Sequence, residues 1–121
     1  MYRLKVIDHF SAAHQLKGYQ GECEELHGHN WKVEVEVQGD RLNSVGLLFD
    51  FKQLRQHLSG IIGEMDHSFL NDLPAFRDAN PSSEQLARHI YTGLKQRLPS
   101  LVSPVSVTVW ESENACATYH E

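Results

Sequence analysis

The stretch Cys23-Glu24-Glu25-Leu26-His27-Gly28-His29 brings one thiol and two imidazoles within seven residues. The next residues alternate: Trp31, Val33, Val35 and Val37 against Lys32, Glu34, Glu36 and Gln38. That is the pattern of a strand with one apolar face. If the strand begins at His27, both histidines project from the face of Trp31 and Val33, because side chains two apart in a strand point the same way. Paired imidazoles at the end of an apolar face are poorly placed to be merely solvated. Gly28 leaves the opposite face bare and open to a close approach. The chemistry such a pair suits is metal binding. A catalytic zinc takes three protein ligands and keeps a position for water or substrate. His14 is the candidate third ligand, since it lies in the connection leading back to this strand; His9 is the competitor. Eight histidines in 121 residues point the same way.

Cys23 has two open roles. It is either a fourth ligand closing a structural site, or a free thiol beside an open one. Near zinc and imidazoles its pKa would fall, fitting it to act as base or nucleophile. Cys116, in an Ala-Cys-Ala-Thr segment, is predicted to be a small core residue. Asp66-His67 sets a carboxylate beside an imidazole, which can orient the ring for proton transfer. The plainer reading is polarity at a helix end. Glu111 continues the phase of Val105, Val107 and Val109, which puts a carboxylate on an apolar strand face. It needs partners there, and a heterocycle with paired N–H donors would satisfy it. The alternative is a strand-end glutamate reaching solvent.

Among the elements that must position these groups, Met1 to Phe10 reads as a first strand and Ser11 to Gly21 as a connection. His27 to Gly39 is the second strand, and Gly39-Asp40 and Asn43-Ser44 mark turns. Asp50 is predicted to cap a helix, with Gln53 completing a capping box. Phe51, Leu54, Leu58, Ile61, Ile62 and Met65 form its apolar stripe. Asp66 to Ala79 reads as a loop. A second helix starts near Asn80-Pro81-Ser82-Ser83-Glu84, capped by Asn80 or by Ser82. Its stripe is Leu86, Ala87, Ile90, Leu94 and Leu98, and Pro99 ends it. Val105 to Glu111 is the third strand, and Ala115 to Tyr119 a short fourth. The expected architecture is one α+β domain over residues 1–121: a four-stranded antiparallel sheet with two helices packed on one face. The polar face of the sheet must meet water or a similar face of another subunit.

Composition narrows the partners. Apolar content of 40% and charge of 22% suit a globular protein. A net charge of −5 without a basic run argues against nucleic acid. Met1 to Phe10 is interrupted by Arg3, Lys5, Asp8 and His9, so no leader segment is predicted there. No apolar run reaches membrane-spanning length, so no membrane partner is expected. With two cysteines and no secretion signal, a cytoplasmic protein without disulfides is expected.

Several motifs together resemble the 6-pyruvoyl-tetrahydropterin synthase family, in particular its bacterial 6-carboxy-tetrahydropterin synthase branch. They are Phe10-Ser-Ala-Ala-His14, Cys23-x-x-x-His27-Gly-His29-Asn30, Gly46-Leu-Leu-Phe-Asp50-Phe51, Met65-Asp-His67 with Leu70-Asn71-Asp72, Asn80-Pro-Ser-Ser-Glu84, and Glu111 followed by Ala117-x-Tyr119. They occur in family order across nearly the whole chain. The resemblance implies the tunnelling fold, whose subunits join sheets into a barrel as trimers, two of which stack into a hexamer. It implies zinc on His14, His27 and His29, and proton transfer by Cys23 assisted by Asp66 and His67. It implies that Glu111 anchors a pterin ring, with groups meeting across subunit interfaces.

The implied reaction converts 7,8-dihydroneopterin triphosphate to 6-carboxy-tetrahydropterin, acetaldehyde and triphosphate, a step towards queuosine. A folate-feeding branch of the family makes 6-hydroxymethyl-dihydropterin and carries a Glu three residues before the first His of the HGH. Glu24 stands at that spacing, next to Cys23. Three outcomes therefore stand at this point: the carboxy product, another pterin product (pyruvoyl or hydroxymethyl), or a zinc-bearing binding module without catalysis.

Overall fold

The computed structural model describes residues 1–18 and 25–121. Cys23 and Glu24, central to the expected chemistry, lie outside the described residues. Two long strands, β1 (Tyr2–His14) and β2 (His27–Gly39), pair antiparallel over their full lengths, from Tyr2 opposite Gly39 to His14 opposite His27. Helix α1 (Phe51–Ile62) comes next, then a two-residue strand β3 (Ser68–Phe69) and two short 3-10 turns. Helix α2 (Ser83–Arg97) and strands β4 (Ser103–Ser112) and β5 (Ala115–Tyr119) complete the chain. The sheet order is β3-β1-β2-β4-β5.

The strands and helices predicted from periodicity are present, with four departures. First, β1 continues past Phe10 to His14, so His14 is a strand residue and not part of a connection. The backbone of β2 supplies partners all the way, and Phe10, Ala12 and His14 keep the buried alternation going. Second, β3 lies in the predicted loop and pairs parallel to Ala12 and Ala13, making the sheet five-stranded. Third, Phe51 is exposed, and α1 ends before Met65, which is buried beyond the helix. Fourth, Cys116 is exposed and not a core residue. It stands opposite Trp110 on the outward face of the sheet, on an edge strand.

The caps resolve the helix starts. Asp50 accepts from the Lys52 N–H rather than pairing with Gln53. Ser82, not Asn80, caps α2 by accepting from the Gln85 N–H. One side of the sheet packs on both helices. Val6 and Phe10 of β1, Trp31, Val33, Val35 and Val37 of β2, and Val107 and Val109 of β4 meet Leu54, Leu58, Leu86, Ile90 and Leu94. The helices approach closely where α2 has Gly93: a Cβ there would stand 2.9 Å from Ile61 Cδ1. No helix among the described residues is long and apolar enough to cross a membrane.

Candidate metal centre

The site forms where the core face runs out at the ends of β1, β2 and β4. Strand register sets His14 directly opposite His27, and alternation sets His29 on the same face. Their floor is Trp31, fully buried, stacked on Phe10 with ring centroids 5.9 Å apart. Trp31 Nε1 donates to Ala12 O at 3.2 Å, and its ring meets the edges of His14 and His29 at 4.9 and 5.2 Å. With Trp31 fully buried, this floor keeps water from beneath the imidazoles.

Glu111 enters from β4. The β4–β5 register shifts between Trp110 and Ser112, placing Glu111 at a bulge. Bulges re-aim side chains and occur beside active sites. Glu111 Oε1 stands 2.9 Å from His29 Nε2, 3.2 Å from His14 Nε2 and 3.5 Å from His27 Nε2. One ligand atom from each of these four residues lies within 4.8 Å of the other three. Phase alone placed Glu111 on this face. Its convergence with the histidines needed the β2–β4 pairing.

The hydrogen bonds fix how the rings face. His14 Nδ1–H donates to Pro81 O at 2.8 Å, and His27 Nδ1–H donates to Glu25 O at 2.9 Å. Carbonyl oxygens only accept, so both rings carry a proton on Nδ1 and turn Nε2 inward. Those two Nε2 atoms are 2.8 Å apart. Two lone pairs at that distance repel unless a proton or cation lies between them. His29 Nε2 is buried, and among the described residues it has no hydrogen-bond partner: its approach to Glu111 is short but misaligned. Burial lowers the His29 pKa below its usual 6.5, opposed by Glu111 and reinforced by His27 and His14. Three inward-facing imidazoles with a carboxylate alongside are a donor set that can hold a metal ion. His9, the competitor, sits on the outward face and is exposed.

Asp66 and His67 lie elsewhere, at the β1 edge. Ser11 N–H donates to Asp66 Oδ1 at 2.9 Å, and His67 N–H donates back to Ser11 O at 2.6 Å. The Ser11 bond, foremost, holds the Asp66 carboxyl below its usual pKa. His67 Nδ1 is 3.0 Å from Asp66 Oδ1, which leaves Nε2 as the ring's outward nitrogen. His67 has φ 58, a left-handed conformation costing about 1–3 kcal/mol for a non-glycine residue. Its side chain is 83% exposed, so within one chain it is outside the histidine group. It does share a groove of about 370 Å³ with Gly28 and His29. Among the described residues nothing crowds Gly28: a Cβ would meet only Ala12 O, at 3.9 Å. A second cavity of about 610 Å³ adjoins Glu111, with Trp110, Lys32, Asn30 and His9 on its walls.

Comparison with known proteins agrees with this picture. The 6-pyruvoyl tetrahydropterin synthase family profile matches residues 3–121. A 6-carboxy-5,6,7,8-tetrahydropterin synthase from Synechocystis is 36% identical over 116 residues, covering 91% of this chain and 86% of the relative. A dihydroneopterin monophosphate aldolase from Pyrococcus furiosus is 35% identical over 102 residues, covering 84% and 82%. The solved 6-pyruvoyl tetrahydropterin synthase of Caenorhabditis elegans superposes with a TM-score of 0.85 at 25% identity, covering 99% of this chain and 95% of that one. Its tunnelling fold is the fold described above. On the match across nearly its whole length, this chain belongs to the 6-pyruvoyl tetrahydropterin synthase family.

Proposed function

We propose that this chain is a zinc-dependent lyase that converts 7,8-dihydroneopterin triphosphate to 6-carboxy-5,6,7,8-tetrahydropterin, acetaldehyde and triphosphate, serving queuosine biosynthesis in the cytoplasm. The observation that carries the reading is the convergence of His14, His27 and His29, with His14 and His27 turned inward by carbonyls on their Nδ1–H groups. Relatives named for that product support the choice of substrate and reaction. In this reading the three imidazoles hold zinc. A bound zinc supplies Lewis-acid stabilisation of negative charge on the substrate side chain. Glu111 accepts the ring N–H donors of the pterin. Cys23 moves a proton on the substrate side chain, and the Asp66–His67 pair moves another through His67 Nε2.

The exposed position of His67 supports a shared site. Its groove is open, and among the described residues β1 from Tyr2 to Phe10 pairs with no strand on its outer edge, where the Arg55 side chain donates to Ile7 O. We therefore infer a homo-oligomer, a trimer or a dimer of trimers, in which the pair serves a neighbouring chain's zinc. Light scattering that finds a monomer removes the shared site.

A second reading on the same scaffold rests on the Pyrococcus furiosus relative, named for an aldolase reaction on dihydroneopterin monophosphate. Glu24 beside Cys23 fits a hydroxymethyl product. One experiment separates the readings: the purified protein is incubated with 7,8-dihydroneopterin triphosphate, and in parallel with the monophosphate, and the products are identified by mass. The carboxy product with triphosphate release is expected. The hydroxymethyl product moves the chain to the second reading, a pyruvoyl product to another pterin outcome, and no pterin product from either the triphosphate or the monophosphate leaves a zinc-bearing binding module.

A further inference from the structure

Beyond His14, β1 has no further strand partner among the described residues: β2 pairs no further than His14 opposite His27, and β3 no further than Phe69 opposite Ala13. The next peptide groups have no strand to pair with, at Gln15, which is half-buried, and at Lys17, which is exposed. Two asparagine side chains take over. Asn71 Oδ1 accepts the Gln15 N–H at 2.9 Å while Asn71 Nδ2 donates to Gln15 O at 2.7 Å. Asn80 Oδ1 accepts the Lys17 N–H at 2.8 Å while Asn80 Nδ2 donates to Lys17 O at 2.8 Å. A carboxamide has one donor and one acceptor in the geometry of a peptide unit, so each makes one rung of a ladder. Gln15 and Lys17 are two apart and present the same edge. Aspartate would lose the donating half of a rung and set a charge against a carbonyl.

The two rungs differ in their chain neighbours. Asn80 precedes Pro81, whose carbonyl takes the Nδ1–H of His14, a residue only 1% exposed. The connection closes a loop: His14, along the chain to Lys17, across to the Asn80 amide, on to the Pro81 carbonyl, and back to the His14 ring. Asn71 has no such link; it sits in the 3-10 turn Leu70–Asp72 and bonds only the main chain of Gln15 among the described residues. We infer that Asn80 is a positioning residue for the metal centre: by clamping Lys17 it holds the Pro81 carbonyl where it fixes His14 as the Nδ1–H tautomer, with Nε2 facing the other ligands. Partners of this kind behind a ligating histidine tune its affinity for metal. The inference rests on the metal-binding reading above, but not on which pterin is made.

The test compares wild type with Asn80→Ala, Asn80→Asp and Asn71→Ala. Circular dichroism establishes which variants fold, and Asn80→Asp, which keeps the bond from Lys17 N–H, stands in if Asn80→Ala does not. Long-range ¹H–¹⁵N spectra of the metal-free protein read the His14 tautomer directly. Wild type and Asn71→Ala are expected to show His14 fully protonated at Nδ1, and the Asn80 variants only partly so. Zinc affinity, measured by competition with a chromogenic chelator, should fall about 10–100-fold in Asn80→Ala and stay within about threefold of wild type in Asn71→Ala. A wild-type tautomer and wild-type affinity in the Asn80 variants overturn the inference. So does equal loss in Asn71→Ala, which would mark a general loosening. If this pattern holds while wild type makes no pterin product, the catalytic reading fails alone. If wild type takes up no zinc, both fail.

Discussion

Replacing Glu111 with Gln asks whether the carboxylate belongs to the metal or to the substrate. The side chain keeps its shape and loses its charge. Zinc–nitrogen bonds of about 2.0–2.1 Å in a tetrahedron put ligand atoms about 3.3 Å apart. Glu111 Oε1 is already 2.9–3.5 Å from the three Nε2 atoms, so distance alone would admit it as a fourth ligand. Chemistry argues otherwise, because three imidazoles closed by a carboxylate leave no position for a substrate oxygen. If Glu111 instead accepts ring N–H donors, the amide forfeits charge-assisted hydrogen bonding worth about 1.5–3 kcal/mol. That corresponds to a fall in kcat/KM of roughly ten- to 150-fold. Zinc affinity should change by no more than about threefold, since a lost non-ligand is felt only through the field at the site. The assay pairs steady-state kinetics on 7,8-dihydroneopterin triphosphate with chelator competition. Zinc affinity falling by about a hundredfold or more, in step with activity, would show that Glu111 is a ligand and refute the argument.

Three further outcomes are expected. His27→Ala should strip the metal while His9→Ala, on the outward face, keeps it; equal metal loss in both would dissolve the assigned ligand set. His67→Ala should remain folded and zinc-loaded yet turn over roughly a hundredfold more slowly, as for a lost acid–base group, and a wild-type rate would remove His67 from the mechanism. His89, packed against Phe76 with ring centroids 5.4 Å apart, is held below its usual pKa of 6.5 by burial, which outweighs the opposing pull of Glu64. The unfolded chain then binds the extra proton first, so stability is full above pH 6.5 and declines as pH falls towards the folded-state value. Thermal unfolding of His89→Gln should therefore vary less between about pH 7 and pH 5 than that of wild type; an identical slope would mean that another group sets it.

The architecture is largely written in local pattern. Alternation from Trp31 to Val37 marks β2, and the stripes of Leu54, Leu58 and Leu86, Ile90, Leu94 mark both helices. These signals are strong because a strand repeats every two residues and a helix every 3.6, whatever surrounds them. Weak signals fail where neighbours decide the outcome. Ala12 and Ala13 have low strand propensity, yet β2 and β3 carry β1 through them. Ser68–Phe69 is a strand only because a β1 edge is there to pair with. Cys116 has the small apolar neighbours of a core residue, but an edge strand at a bulge turns it outward.

For the site, the sequence by itself determined that two imidazoles share the face of Trp31 and that Glu111 lies on the corresponding face of its own strand, since both result from the two-residue period. It did not determine that these faces meet. His14 and Glu111 are 97 positions apart, and only the β1–β2–β4 register brings their side chains to 3.2 Å. The same holds for the direction in which the rings face. Pro81 O, 67 positions from His14, sets where that ring keeps its proton, and Asn80 reaches Lys17 over 63. Periodicity acts between near neighbours and is legible residue by residue. Register and long-range hydrogen bonds are fixed by how whole elements pack, so only the folded chain decides them.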